Sequence, residues 1–382
     1  MLLAVPCAVL AHLFVTMNPP VAEYAPARAA AVSLTMSVVA PTLSFCAAWE
    51  ALTVRALWGL LTVDRPWWRV LLGRLAPVLA AGLLVQLVLY AGTLLTSSPI
   101  GWPGWQFPFL FLFAMVTWAF FGAAVALVLG RLLAITVALL VPYLLTSLPA
   151  AWEPLWLRHL NGNPFDCCAT DQVLDPRVTI GSVAVLGAIL VVSLCVVRVR
   201  LAPSQDRPLI PLLTALGALI AGVAGASVVT DLGASPARPR SASELVCRSE
   251  VCLYPEDSAA FDANAAAWVA VRASWSGLGL PAPMLERVGP IPAEGMLAIT
   301  TTSSDVTAAK ATMAQLLPRA LAGCLTDFGD TGRNERLDAL SVLLMRDLGV
   351  EEYLGSPPAV GSPEPTPARA QQLWRETGRC VG

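Results

Sequence analysis

Polar positions are so sparse through the first 230 residues that they mark the ends of helices rather than their faces. Seven apolar runs result, at about 1–17, 29–54, 75–95, 109–129, 132–148, 178–197 and 209–229. A helix needs roughly 17–25 such residues to cross a bilayer. The first run has no basic segment ahead of it, so it reads as a retained span rather than a cleaved leader. Pro41 interrupts the second, as lipid-embedded helices tolerate. Arg55–Arg74, RALWGLLTVDRPWWRVLLGR, lies between the second and third runs and mixes arginine with tryptophan. That pairing belongs at headgroup depth. It reads either as a basic loop or as a short interfacial helix facing a cytoplasmic partner.

Past residue 230 the pattern changes. ASPARPRSA within 231–243 is a Pro- and Ser-containing tether, and 244–382 has the alternation of a soluble domain. Glu244–Tyr254 reads as a strand or hairpin. In Pro255–Ser276, Phe261, Ala265, Trp268, Arg272 and Trp275 recur at helical spacing, a stripe that reads as core, with Asp257 or Ser258 as N-cap. Strands are expected at Met284–Val288 and Met296–Thr302. A helix should open at Ser303–Asp305 and bend or split at Pro318. Arg333–Leu348 is amphipathic through Leu337, Leu340, Leu344 and Leu348, Ser356–Pro367 is extended, and Ala368–Arg379 is a last short helix.

Charge orients the chain. With the N-terminus inside, the inner loops carry Arg55, Arg65, Arg69, Arg74, Arg131, Arg198, Arg200 and Arg207. The outer ones carry Arg28, Arg158 and Arg177. This is the positive-inside asymmetry of short loops. Seven spans from an inside start leave the C-terminal domain outside, in an oxidising compartment. The expected architecture is a polytopic α-helical membrane protein of about seven spans (1–230), a tether (231–243) and a small α+β extracytoplasmic domain (244–382). Its localisation is the inner or plasma membrane.

Cys247, Cys252, Cys324 and Cys380 fall in that outer domain. Cys247–Cys252 and Cys324–Cys380 are the natural bridges, although four cysteines allow three pairings. A metal site would need all four thiolates, because no histidine occurs after His159. Cys167 and Cys168 are adjacent in an outer loop, where each can bridge elsewhere or stay free.

Composition narrows the chemistry. Hydrophobic residues make up 56% of the chain and charged residues 13%, with mean hydropathy +0.68. This excludes an ordinary soluble protein, which carries about a quarter charged residues. The formal net charge of −2 gives no basic footprint for nucleic acid. Without histidine the outer domain lacks Ser-His-Asp, Cys-His and HExxH chemistry. No GxxxxGK[ST] occurs, so the chain brings no P-loop ATPase of its own. Ionisable groups within spans mark function by default. Here only Glu50, within sequence reach of Arg55, and the uncharged Gln86 stand out. That argues against ion coupling and suits a scaffold, or an exporter of amphipathic or apolar cargo driven by another subunit.

Two segments carry a resemblance. AAWEALTVRALWGLLTVDRPWWRVLLGRLAPVLA (Ala47–Ala80) resembles the end of the second span and the Arg-rich inner segment of high-GC bacterial membrane proteins related to type-2 ABC exporter permeases. VCLYPE (Val251–Glu256) is similar to the opening of their exported C-terminal domain. The resemblance implies a permease-like or accessory subunit, with no cofactor, contacting a separate ATPase through Arg55, Arg65, Arg69 and Arg74. The chain departs from the usual six spans with both ends inside. The expected partners are the lipid bilayer, the separate ATPase subunit and a second copy of the chain, with no nucleic acid. The alternative is a membrane-anchored extracytoplasmic binding or sensing domain; an extracytoplasmic hydrolase has least support.

Overall fold

A computed structural model describes residues 24–58, 66–97, 102–164, 167–202, 209–281, 287–293, 295–323, 331–354 and 366–377. The chain divides into two compact units, Met1–Arg238 and Pro239–Gly382. The first expected span, 1–17, lies outside the described residues, as do Arg65, Cys324 and Cys380.

The first unit is a helical bundle: α1 (Ala25–Ser33), α2 (Met36–Trp58), α3 (Trp67–Ser97), α4 (Gln106–Val128), α5 (Arg131–Ser147), α6 (Pro176–Leu201) and α7 (Leu209–Ser227). Among the described residues, five helices, α2, α3, α4, α6 and α7, are long and apolar enough to cross a membrane, and α5 is a shorter apolar helix of 17 residues. The expected second span is thus a helix pair, α1 and α2, with a break at Leu34–Thr35. The arginine-rich segment is not a separate loop along its whole length. Arg55 lies in the last turn of α2, and Trp67–Arg74 forms the first turns of α3.

Of the five long apolar helices, α4 is the most buried, packed between α2, α5 and α6. Its Phe107, Leu110, Met115 and Trp118 are almost wholly enclosed. Helices in lipid gain little from hiding apolar surface, so close packing through small residues carries their association. A Cβ on Gly122 would strike the Ser44 carbonyl of α2, and one on Gly225 would strike Ala184 of α6. By contrast, α7 leaves Leu212, Leu216, Leu219 and Val223 exposed, the surface that a lipid-facing helix presents.

The segment between α5 and α6 is more ordered than a polar loop. Two 3-10 turns, Leu148–Ala150 and Leu155–Leu160, lead into buried Asn161 and Asn163. Asn161 donates through Nδ2 to the Thr146 carbonyl (3.2 Å) and accepts from the Asn163 amide (2.9 Å). The Gly233 carbonyl, 3.0 Å from His159 Nε2, can only accept, so that nitrogen carries the proton. The short strand β1 (Gln172–Leu174) pairs with β2 (Ala237–Pro239), where the first unit ends. Asp175 caps α6 by accepting the Arg177 amide at 2.8 Å.

The second unit places helices against a four-stranded sheet of order β3 (Val246–Arg248), β4 (Val251–Leu253), β5 (Arg287–Gly289), β6 (Met296–Ala298). β3 and β4 form an antiparallel hairpin with Cys247 opposite Cys252. β4, β5 and β6 run parallel, with α8 (Phe261–Gly277) crossing from β4 to β5. The remaining helices are α9 (Val306–Ala322), α10 (Thr331–Asp347) and α11 (Pro367–Thr377). The buried face of α8 is Phe261, Asn264, Trp268, Val271 and Trp275, while Ala265 is exposed and Arg272 half-buried. Asn264 is satisfied. It donates to the Ala260 and Thr301 carbonyls and accepts the Thr301 amide at 3.0 Å, fixing the chain after β6. Trp275 donates to the Pro281 carbonyl at 2.8 Å and meets Trp374 of α11 edge-on.

Two local expectations change. A 3-10 turn, Pro255–Ala260, precedes α8, so neither Asp257 nor Ser258 is its cap. Pro318 lies inside an unbroken α9, which Asp305 caps by accepting from Thr307 and Ala308.

Candidate functional site

Of the arginines singled out in the sequence, Arg55 lies in the last turn of α2, and Arg69 and Arg74 lie in the first turns of α3. Arg55 points its Nη1 at the carbonyls of Ala126 (3.2 Å) and Leu129 (2.7 Å). These close α4, whose last carbonyls have no partner within the helix and carry the negative end of its dipole. Arg55 is therefore a C-terminal cap for a neighbouring helix. Glu50 pairs with Arg74 at 3.7 Å rather than with Arg55, and both side chains remain substantially exposed. Such a pair contributes at most about 1 kcal/mol. Arg69 lies over the adjacent Trp68 ring at 5.0 Å and is exposed.

Arg131, at the first position of α5, belongs to the same constellation. Its guanidinium lies 5.1 Å from the centre of the Trp49 ring. The signal was present in the sequence as a lone arginine after Gly130, but nothing in the spacing linked it to a tryptophan on α2. Between them opens a cleft of about 550 Å³, lined by Trp49, Leu52, Thr53, Ala56 and Leu57 of α2, by Gly130, and by Arg55 and Arg131. Its floor is apolar and its charged lining groups are both cationic. No family model matches the chain, and neither does any curated protein or solved structure.

A second polar locus lies inside the bundle, at the break between α1 and α2. Ser33 and Thr35 turn their hydroxyls back onto the carbonyls of Ala30 (2.5 Å) and Val32 (2.7 Å). Such back-bonding competes with the helix ladder and bends it. The amide of Asn163 lies 2.7 Å from Ser33 Oγ, and that of Gln86 3.2 Å from Thr35 Oγ1. Each hydroxyl has one proton, already given to its own helix, so each amide satisfies the pair by turning its NH2 toward the hydroxyl. Either way round, one polar atom of Gln86 and one of Asn163 stays buried without a hydrogen-bond partner. The seam is polar, neutral and deep.

In the second unit the sulfurs of Cys247 and Cys252 lie 2.06 Å apart, at bonding distance. A loop this short limits the chain-entropy gain to about 2 kcal/mol. Near it, Arg240 is buried in what composition marked as tether. Its guanidinium donates to Glu244 (2.8 Å) and Glu256 (3.1 Å) and lies 4.0 Å from the centre of the Tyr254 ring. This cluster holds the start of the unit to the β4 strand. In the first unit, Cys167 and Cys168 are buried with Tyr24 and Phe107.

Proposed function

We propose that the chain is the permease-like or accessory membrane subunit of an ABC-type exporter, powered by a separate ATPase. Its N-terminus is cytoplasmic and its second unit extracytoplasmic. The observation that carries this reading is the gathering of Arg55, Arg69, Arg74 and Arg131 with Trp49, Trp67 and Trp68 at one end of a bundle whose buried seam is uncharged. A basic, aromatic end suits a cytoplasmic headgroup surface and a docking partner. A neutral interior suits cargo that is not coupled to ions. Because Arg55 caps α4 and Arg74 pairs with Glu50, the exposed Arg69, together with Arg65, is the better contact to the ATPase.

Affinity purification of the full chain from its native membrane tests this. The wild type should retain a P-loop ATPase polypeptide, and the charge-reversed pair Arg65→Glu, Arg69→Glu should lose it. Failure of the wild type to retain one, or equal retention by the variant, removes the exporter reading. Sidedness is tested by a membrane-impermeant thiol reagent on intact cells after reduction. Labelling at Cys247 supports an outside second unit, and protection overturns it. The second unit's own core favours one other reading, an anchored binding module.

A further inference from the structure

We infer that the cleft between Trp49 and Arg131 is a binding site for one anionic phospholipid, with its phosphate held by guanidinium groups. This goes beyond the exporter reading and shares with it only the cytoplasmic placement of this end of the bundle.

Three observations converge on that occupant. The first is charge. Arg131 is exposed, and among the described residues no carboxylate pairs with it; its guanidinium lies over the Trp49 ring. Arg55 spends Nη1 on the two helix-end carbonyls, which leaves its Nη2 and Nε donors to serve a ligand. Planar guanidinium forks match phosphate oxygens better than a point charge does. Among the described residues, no acidic side chain lines the cleft to repel an anion.

The second is the apolar floor. Leu52, Ala56 and Leu57 offer nothing to a hydrated inorganic ion, yet they suit the glycerol and first methylenes of a lipid. The cleft's volume of about 550 Å³ falls within the range of small-molecule sites. The third is continuity. Leu57 is 38% exposed, and beyond Arg131 Leu132 is 82% and Leu133 55% exposed. An acyl chain leaving the cleft therefore runs onto helix surface already suited to lipid. Trp49, 47% exposed beside the guanidinium, has the amphipathic ring that settles at headgroup depth. Basic pockets between helices at the cytoplasmic leaflet are where anionic headgroups are selected.

The test uses the full chain in mixed micelles of phosphatidylcholine and phosphatidylglycerol, read by native mass spectrometry. The wild type should retain phosphatidylglycerol in preference to phosphatidylcholine. Arg131→Gln, a change at an exposed side chain, should weaken that retention about tenfold, the loss expected for one charge-assisted contact. Trp49→Ala should weaken it less, and Arg131→Lys should fall between wild type and Arg131→Gln. Equal retention of the two lipids, or unchanged selectivity in Arg131→Gln, overturns the assignment. Inorganic phosphate is the competing arm: if millimolar phosphate displaces the lipid or protects the protein thermally as well as phosphatidylglycerol does, the site belongs to a free anion and the inference fails. Arg69→Gln, whose side chain does not line the cleft, should leave selectivity intact; an equal loss there reduces the effect to diffuse surface charge and also overturns it.

Discussion

Among the described residues, the polar side chains buried among the helices of the first unit include the neutral Ser33, Thr35, Gln86, Thr117, Asn163 and Ser182. Its buried carboxylate, Asp175, lies at the start of α6 against a half-exposed Arg177. In the second unit, Arg240 and Glu256 form an ion pair whose side chains are both less than a tenth exposed. Both units enclose large apolar side chains, Phe107, Leu110 and Trp118 in the first and Trp268, Trp275 and Leu344 in the second. The first also brings its helices together on alanine and glycine and turns many leucines outward. The difference follows from the surroundings each unit tolerates. A lipid-facing bundle gains from tight backbone approach and uncharged hydrogen bonds. A water-facing unit gains from hiding large apolar side chains, and it can bury a charge where donors and acceptors surround it.

The contrast can be broken experimentally, beginning with its largest consequence. Arg240→Ala strands Glu256 with little access to water and should cost about 3–5 kcal/mol. Unfolding of the full chain in detergent, followed by tryptophan fluorescence, measures it; a cost below about 1 kcal/mol would mean the pair is solvated. Gly122→Val forces a side chain into the Ser44 carbonyl, and such overpacking costs about 1–3 kcal/mol. A neutral outcome in a thermal melt would show that α2 and α4 separate freely.

Gln86→Leu probes the neutral seam. Hydrogen bonds between membrane helices average about 0.6 kcal/mol, so the bundle should stay folded with a loss below about 1 kcal/mol. Transport or cargo binding lost in a folded Gln86→Leu protein would assign the seam to function rather than to packing.

The smallest effect is on pH. The backbone N–H of Thr307, with help from Ala308 and Tyr353, holds the Asp305 carboxyl below its ordinary range despite some desolvation. A carboxylate depressed in the folded state stabilises above its unfolded pKa and loses that contribution as pH falls through the lower folded value. Asp305→Asn keeps a capping side chain at neutral pH. It should flatten the acid limb of the second unit's stability profile, and an unchanged limb would show that the ionised cap contributes nothing.

Much of the chain's layout was legible because its signals are local. Apolar runs coincide with α2 to α7, and the spacing of Leu337, Leu340 and Leu344 coincides with the buried face of α10. Cys247 and Cys252 are close in sequence, and the hairpin turn brings them opposite one another. On α8 the reading slipped by one position, taking Ala265 and Arg272 where Asn264 and Val271 face the core. Periodicity alone does not distinguish a satisfied asparagine from a surface one. Gln86 stood out as a polar group in an apolar run, whereas its counterpart Asn163 was hidden in a stretch that read as an exposed loop.

What the sequence determined by itself is therefore where helices run, which ends are basic and which half carries the long apolar runs. Each of those depends on neighbours within a few turns. Only the tertiary structure decided that Arg55 serves α4, that Arg131 meets Trp49 across a cleft and that Arg240 is enclosed rather than tethered in solvent. Those outcomes depend on which helix ends and strands lie side by side, and a hydrogen bond or ring contact of a few ångströms leaves no periodic trace in residues so far apart along the chain.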